Sequence, residues 1–179
     1  TQIKIGDRYS LLNPVIALTI TDFVMFDEFA EYESKFKVIE KDILTIGSGV
    51  ICHQVNAQGV MGSGIAKSIR DKWPKVYFEY KKLCDFETRK STKWALMGKS
   101  QVVEIDDNIS VVNLFGQFDF RKNIYDTGRY TEYGSFARAL ETFSELETNY
   151  KNKQIYFPHG IGACRGGGDP VIISQIISA

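Results

Sequence analysis

The chain has 179 residues, enough for one full α/β domain and an additional segment. Its hydrophobic share of 44% and charged share of 25% are those of an ordinary globular protein. Basic and acidic side chains both number 22, which argues against a domain that lives on nucleic-acid phosphates but leaves room for one anion held by backbone groups.

In chain order, residues 14–20 (PVIALTI) are apolar and β-branched and predict a buried strand; 36–39 (FKVI) predict another. Residues 49–53 (GVICH) form a short strand that runs into a glycine-containing turn. A helix is expected from about Gly62, with Ile65, Ala66, Ile69 and Trp73 on one face. Pro74 interrupts it, and Val76, Tyr77, Tyr80 and Cys84 mark its resumption. Residues 101–105 and 109–115 predict two strands around the turn Asp106–Asp107–Asn108. Tyr133, Phe136, Ala137, Leu140 and Phe143 give an amphipathic helix. Residues 154–157 are a strand leading into the glycine-rich loop 158–168. Asp169 and Pro170 then read as the N-cap and first residue of a last helix. Strands alternating with helices imply a three-layer α/β/α fold around a mixed, largely parallel sheet. No apolar run reaches the length of a membrane span, and the first residues lack the pattern of a signal peptide. Cys52, Cys84 and Cys164 are far apart and show no metal-ligand spacing, so reduced thiols in a cytoplasmic protein, with no metal and no cofactor, are expected.

Two loops carry the chemistry. His53-Gln54-Val55-Asn56-Ala57-Gln58-Gly59-Val60-Met61-Gly62-Ser63-Gly64-Ile65-Ala66 joins a strand to a helix, and its glycines let backbone amides approach a ligand closely. The spacing is neither a Walker A nor a GxGxxG pattern, and tight packing alone would also explain the glycines. Pro158-His159-Gly160-Ile161-Gly162-Ala163-Cys164-Arg165-Gly166-Gly167-Gly168-Asp169 likewise follows a strand and precedes a helix. Ligands of open α/β sheets bind outside the carboxyl ends of the strands, so both loops should meet at one cleft. A diphosphate between two sets of amides needs no basic side chain, which fits the neutral composition.

The stretch VICHQVNAQGVMGSGIAKSIRDKWP resembles the ribose and phosphate loop of macro domains, and FPHGIGACRGGGD resembles their second phosphate loop. Asp42-Ile43 is similar to the Gly-Asp-Ile signature that opens that fold, with Lys41 in place of glycine. NLFGQ at 113–117 is similar to a strand-end segment of the branch containing ADP-ribose 1″-phosphate phosphatases and ADP-ribosyl-glutamate hydrolases. The resemblance covers roughly residues 36–179 and implies a macro domain over 40–179, C-terminally truncated, behind an extension over 1–39 whose packing the sequence does not specify. It further implies that Asp42 accepts from the adenine amino group with Ile43 beside the ring, and that Asn56 contacts the distal ribose. Gly59, Met61, Gly62, Ser63, Gly64 and Ile65 would line one side of the ligand. His159, Gly160, Ile161, Gly162, Ala163 and Cys164 would close the other, Phe115 and Tyr130 would border the adenine or the distal ribose, and Gln117 belongs to the same binding set. The implied partners are ADP-ribose or a derivative and ADP-ribosylated proteins; the charge balance predicts no nucleic acid, and the absence of a long apolar run predicts no membrane.

Two departures bear on chemistry. The lysine that forms a covalent intermediate in deglycosylases of this branch aligns with Gln117, which cannot form a Schiff base, and its partner aspartate aligns with Gly166. Pro170 stands where the family usually has tryptophan. Asn56, Asp169 and His53 are the candidate catalytic residues, orienting the distal ribose and an attacking water. Against this, His53 reads more simply as a hydrogen-bonded structural histidine, His159 and Arg165 as exposed loop side chains, Cys52 and Cys164 as packing residues, and Phe115 and Tyr130 as core. Three functions follow: an ADP-ribose site that hydrolyses a phosphate or ester on the distal ribose, a non-catalytic reader or sequestering module, and an interaction protein with a degenerate cleft.

Residues 5–37 resemble a stretch of the Rpn-like, transposase-associated PD-(D/E)xK nucleases that follows their catalytic core, so no nuclease activity is carried over. Asp22, Asp27, Glu28 and Glu31 in this stretch read as solvated charges.

Overall fold

The computed structural model describes residues 16–20, 36–146, 150 and 153–179. Its strands are β1 (Ile16–Ile20), β2 (Phe36–Glu40), β3 (Gly49–Asn56), β4 (Ser100–Glu104), β5 (Ile109–Gln117) and β6 (Ile155–Phe157). Its helices are α1 (Gly64–Lys72), α2 (Pro74–Lys90), α3 (Tyr133–Glu145) and α4 (Pro170–Ser178), with 3-10 turns at Ile43–Thr45 and Lys93–Leu96. The strands form one sheet in the order β2-β1-β6-β3-β5-β4. β6, β3 and β5 run parallel at its centre. β1 pairs antiparallel with β2 and β6, and β4 antiparallel with β5.

Every residue of β3 and β5 is buried, because a central parallel strand is covered on both faces. On one face Ile51, Val111 and Phe115 pack against Ile69 of α1 and Val76, Tyr80 and Cys84 of α2. On the other, Val50, Cys52, Val112 and Leu114 meet Phe136, Ala139 and Phe143 of α3 and Ile173 of α4. The expected α/β/α layering is therefore present. The sheet is less parallel than anticipated: three of the five pairings among the described strands are antiparallel. At β4–β5 the cause is local, because a short turn at Asp106–Asn108, capped by the Asp106 carboxylate accepting from the Asn108 and Ile109 amides, can only return the chain as a hairpin.

The boundary expected at 39/40 falls inside β2, and β1 joins the same sheet. Residues 16–20 and 36–39 thus extend the sheet rather than standing apart from it. The rest of the nuclease-like segment, with Asp22, Asp27, Glu28 and Glu31, lies outside the described residues.

Strand direction decides where the site can be. Two successive antiparallel pairings make β2 run in the same sense as β6, so β2, β6, β3 and β5 all end on one edge of the sheet. Strands are spaced about 4.8 Å apart. Asp42, just past β2, therefore emerges roughly 10 Å to one side of the β6 loop. Phe118, just past β5, emerges about 5 Å to the other side of the β3 loop.

Candidate functional site

The loop after β3 is shaped by Asn56. Its Oδ1 accepts from the Gln58 amide at 2.9 Å and the Val60 amide at 3.4 Å, and its Nδ2 donates to the Val60 carbonyl at 2.6 Å. The Tyr80 hydroxyl lies 2.9 Å from the same Oδ1 and 2.8 Å from the Asn56 carbonyl, and accepts from the Val60 amide at 2.9 Å. Asn56 is thus the organiser of this loop, its Oδ1 and one Nδ2 hydrogen committed to it. Gly59 has a φ of 78° and leans on α2, where an added Cβ would sit 3.2 Å from Lys81 Cδ and 3.4 Å from Cys84 Cβ.

Beyond it, the N-terminus of α1 is open. Gly64 has a φ of 57° and nothing lies within 4 Å of where its Cβ would be. The N-cap Ser63 makes no side-chain capping bond, so the first-turn amides, which have no intrahelical acceptor, face outward with the positive end of the helix dipole. Gly62 and Gly64 are exposed, and Ser63 and Ile65 half-buried. In the loop after β6, Gly160 has a φ of 66° and an equally open Cβ position, while His159 and Cys164 are exposed and Ala163 is half-buried. Left-handed glycines turn successive amides to one side, the arrangement of an anion-binding nest.

The inner half of the second loop is closed. Gln54 Nε2 donates to Gln117 Oε1 at 2.6 Å and to Thr131 Oγ1 at 2.8 Å, and the Thr131 hydroxyl donates to the Gly162 carbonyl at 2.7 Å. Gln117 Nε2 donates to the Asp119 carbonyl. The Tyr130 and Thr131 amides donate to the Gly166 carbonyl at 2.7 and 2.8 Å. Gln54 Oε1 is buried without a hydrogen-bond partner among the described residues, and a Cβ at Gly162 would meet it at 2.8 Å. Arg165 Nη1 donates to the Arg121 carbonyl, so it ties two loops together.

These contacts revise several expected roles. Ile43, Met61, Phe115 and Ile161 are between 0% and 6% exposed. Their side chains belong to the two apolar clusters on either face of the sheet, so the Ile43 side chain does not present a flank to a base. Phe115 stacks on Tyr80, centroids 5.9 Å apart. Gln117 is buried in the amide network. Asp169 caps α4, its Oδ1 accepting from the Val171 and Ile172 amides, which is the ordinary work of an N-cap carboxylate.

His53 leaves the catalytic set. It lies inside β3, fully buried, with Nε2 2.6 Å from Asn113 Oδ1. The Asn113 amide donates to Gln101, so its oxygen accepts and His53 carries its proton on Nε2. Burial pushes its pKa down from 6.5 to about 4, the Asn113 bond opposing weakly. Above pH 6.5 the ring is neutral folded or unfolded. As pH falls from 6.5 to 4 the unfolded chain takes up a proton that the folded chain refuses, so stability should fall by up to roughly 3 kcal/mol and level off below pH 4. Urea titrations across this range should show the loss attenuated in His53→Gln; an equal slope in both proteins would refute it.

Two hollows lie elsewhere. One of about 360 Å³, lined by Ile46, Gly47, Ser48, Lys153, Gln154 and Tyr156 with Lys41, sits at the amino ends of β3 and β6. Another of about 310 Å³ lies beside β4. Neither is lined by a residue of the two glycine loops, where the backbone offers donors.

No family model and no curated protein matches the sequence. Solved structures do resemble it. A protein of unknown function from Bacteroides thetaiotaomicron superposes with a TM-score of 0.61 at 24% identity, over 74% of this chain and 81% of that one. A macrodomain protein from Streptomyces coelicolor gives 0.57 at 19%, over 75% and 80%. Thermosipho africanus DarTG in complex with ADP-ribose gives 0.59 at 18%, over 78% of this chain and 36% of that one. The fold is that of a macrodomain. Gln117 and Gly166 are neighbours in this fold: a Cβ on Gly166 would lie 2.8 Å from Gln117 Oε1. Neither side chain carries an amine that could form a Schiff base. No helix among the described residues is long and apolar enough to cross a membrane.

Sequence reasoning missed Gln54, Tyr80 and Thr131 as organisers of the loops. Gln54 lies 63 residues from Gln117 and 77 from Thr131, and no local spacing pattern can join positions so far apart.

Proposed function

We propose that the protein binds ADP-ribose in the cleft between the two glycine loops and holds it without forming a covalent intermediate. The observations that carry this are the open N-terminus of α1, uncapped by Ser63, and the open, left-handed Gly160, which stand in the loops that leave two adjacent parallel strands at the same sheet edge. A diphosphate there meets amide donors and the helix dipole from both sides. Asp42 lies at the β2 end of that edge, exposed, with Oδ1 occupied by the Leu44 amide and its second oxygen turned to solvent for an exocyclic amino group. The ADP-ribose in the DarTG structure of the same fold supports the ligand class.

Isothermal calorimetry with ADP-ribose should show saturable binding; no heat and no thermal shift at millimolar ligand would overturn the reading. Asp42→Asn keeps the oxygen that caps the 3-10 turn and removes the charge, so it isolates the adenine contact. It should weaken binding by roughly 1–2 kcal/mol, the scale of a charge-assisted hydrogen bond, and an unchanged affinity would remove Asp42 from the site.

Retention rather than turnover is favoured because Asn56 is committed to its own loop, Asp169 to α4 and His53 to the sheet interior. Borohydride reduction with ADP-ribose should leave the protein mass unchanged, since Gln117 and Gly166 cannot supply an imine. ADP-ribose 1″-phosphate should bind without releasing phosphate. Release that is lost in Asn56→Ala or Asp169→Ala would restore the hydrolytic reading.

A further inference from the structure

Trp94, in the 3-10 turn between α2 and β4, stacks on Phe118 with centroids 3.9 Å apart and planes at 10°, yet Trp94 remains 59% exposed. One indole face is therefore spent on Phe118 and the other is open to solvent. The pair is fixed in place: Trp94 N donates to Thr92 Oγ1. The Phe118 carbonyl accepts from the Ala57 amide at 3.2 Å and from Gln58 Nε2 at 2.9 Å. Lys93 Nζ donates to Gln58 Oε1 at 2.8 Å. The backbone that carries Phe118 and the neighbour of Trp94 are thus tied to the first glycine loop by three bonds, and an indole already stacked on Phe118 has lost part of the side-chain freedom that stacking on a base would otherwise cost.

Its position gives the plate a use. Along the carboxyl edge of the sheet Asp42 lies at the β2 end, the two loops leave β6 and β3 in the middle, and Phe118 follows β5 on the far side. A nucleoside diphosphate laid along this edge, base toward Asp42 and phosphates between the loops, sends its second sugar toward Phe118. We propose that the Trp94–Phe118 plate is a second base-stacking subsite, and that the cleft takes a diphosphate-linked dinucleotide whose second base is carried on the distal ribose. This rests on the ADP-ribose reading and extends it. Stacking of a base on an aromatic side chain tolerates any π-face, so the observations define a planar heteroaromatic ring.

The protein holds two tryptophans, Trp73 and Trp94, so Trp73→Phe leaves Trp94 as the only indole. In that variant, NAD+ supplies a pyridine ring and diadenosine diphosphate a purine at the position in question, and ADP-ribose supplies none. At least one dinucleotide should quench the Trp94 emission and bind about tenfold more tightly than ADP-ribose, the scale of one stacked base. Which of the two does so identifies the ring. In Trp94→Ala that advantage should vanish while ADP-ribose affinity stays within about twofold. Dinucleotides that bind no better than ADP-ribose in both proteins, with Trp94 emission unmoved, overturn the subsite and leave the cleft standing. Failure of all three ligands to bind overturns the cleft reading, and the subsite with it.

Discussion

Gly166→Asp is expected to unfold the protein or to destabilise it by on the order of 4 kcal/mol or more. The Cβ alone would sit 2.3 Å from Thr131 Oγ1, 2.4 Å from the Gly162 carbonyl and 2.8 Å from Gln117 Oε1. None of these can retreat easily. Thr131 is held by Gln54 and Gly162, Gln117 by Gln54 and the Asp119 carbonyl, and Gly162 carries its own turn. Overpacking of this kind costs about 1–3 kcal/mol, and a carboxylate forced against a carbonyl in a buried site adds the cost of an unpaired charge. Urea denaturation of Gly166→Asp and Gly166→Ala separates the two, since alanine carries only the steric part. A variant as stable as the parent would mean that the amide network is not closed. The double change Gln117→Lys with Gly166→Asp should fail for the same reason. A lysine and aspartate pair cannot be introduced at these two positions without enlarging the space that Thr131 and Gly162 now fill.

Gly64→Glu should abolish ADP-ribose binding, by a hundredfold or more, while the fold survives. Nothing lies within 4 Å of the added Cβ, so packing is untouched. The backbone penalty of a left-handed φ of 57° at a non-glycine residue is about 1–2 kcal/mol. Affinity suffers far more, because a carboxylate at the first residue of α1 occupies the place where the outward amides would meet a phosphate. Circular dichroism should show an unchanged helical content, with a thermal midpoint only a few degrees lower. Gly64→Ala carries the backbone cost without the charge and should retain measurable binding. If Gly64→Glu folds and binds like the parent, the ligand does not sit at α1.

The two glycine substitutions show how unlike residues of one type can be. Both positions belong to loops that the sequence marks as glycine-rich, and nothing in composition separates them. Gly64 is open because it begins a helix at the rim of the sheet. Gly166 is closed because the chain from 118 to 131 crosses over it and donates two amides to its carbonyl.

Much of the architecture was legible from local pattern. Pro74 at the start of α2, Asp169 capping α4 before Pro170, and the apolar runs within β3 and β5 are rules of short range, and the structure follows them. The convergence of the two loops also followed from local signals, since each comes after a strand and before a helix. Short-range rules have no access to the partner of a side chain. Asn56 and Asp169 carry the residue types of catalysis, yet in each Oδ1 accepts from backbone amides within four residues of itself. His53 looked like the end of a strand, but β3 continues to Asn56, and that extension of three residues buries its ring.

The sequence by itself determined the alternation of elements, the place of the glycine loops and the absence of a lysine at Gln117. These are properties of residue type and of spacing over a few residues. Only the tertiary structure decided that residues 16–20 join the sheet, that Gln54, Gln117 and Thr131 close the inner half of the second loop, and that Trp94 lies flat on Phe118. Each of these is a contact between segments far apart in the chain. Such a contact is chosen by the order and direction of strands in the sheet and by the volume left between its layers, and neither quantity is written at any single position of the sequence.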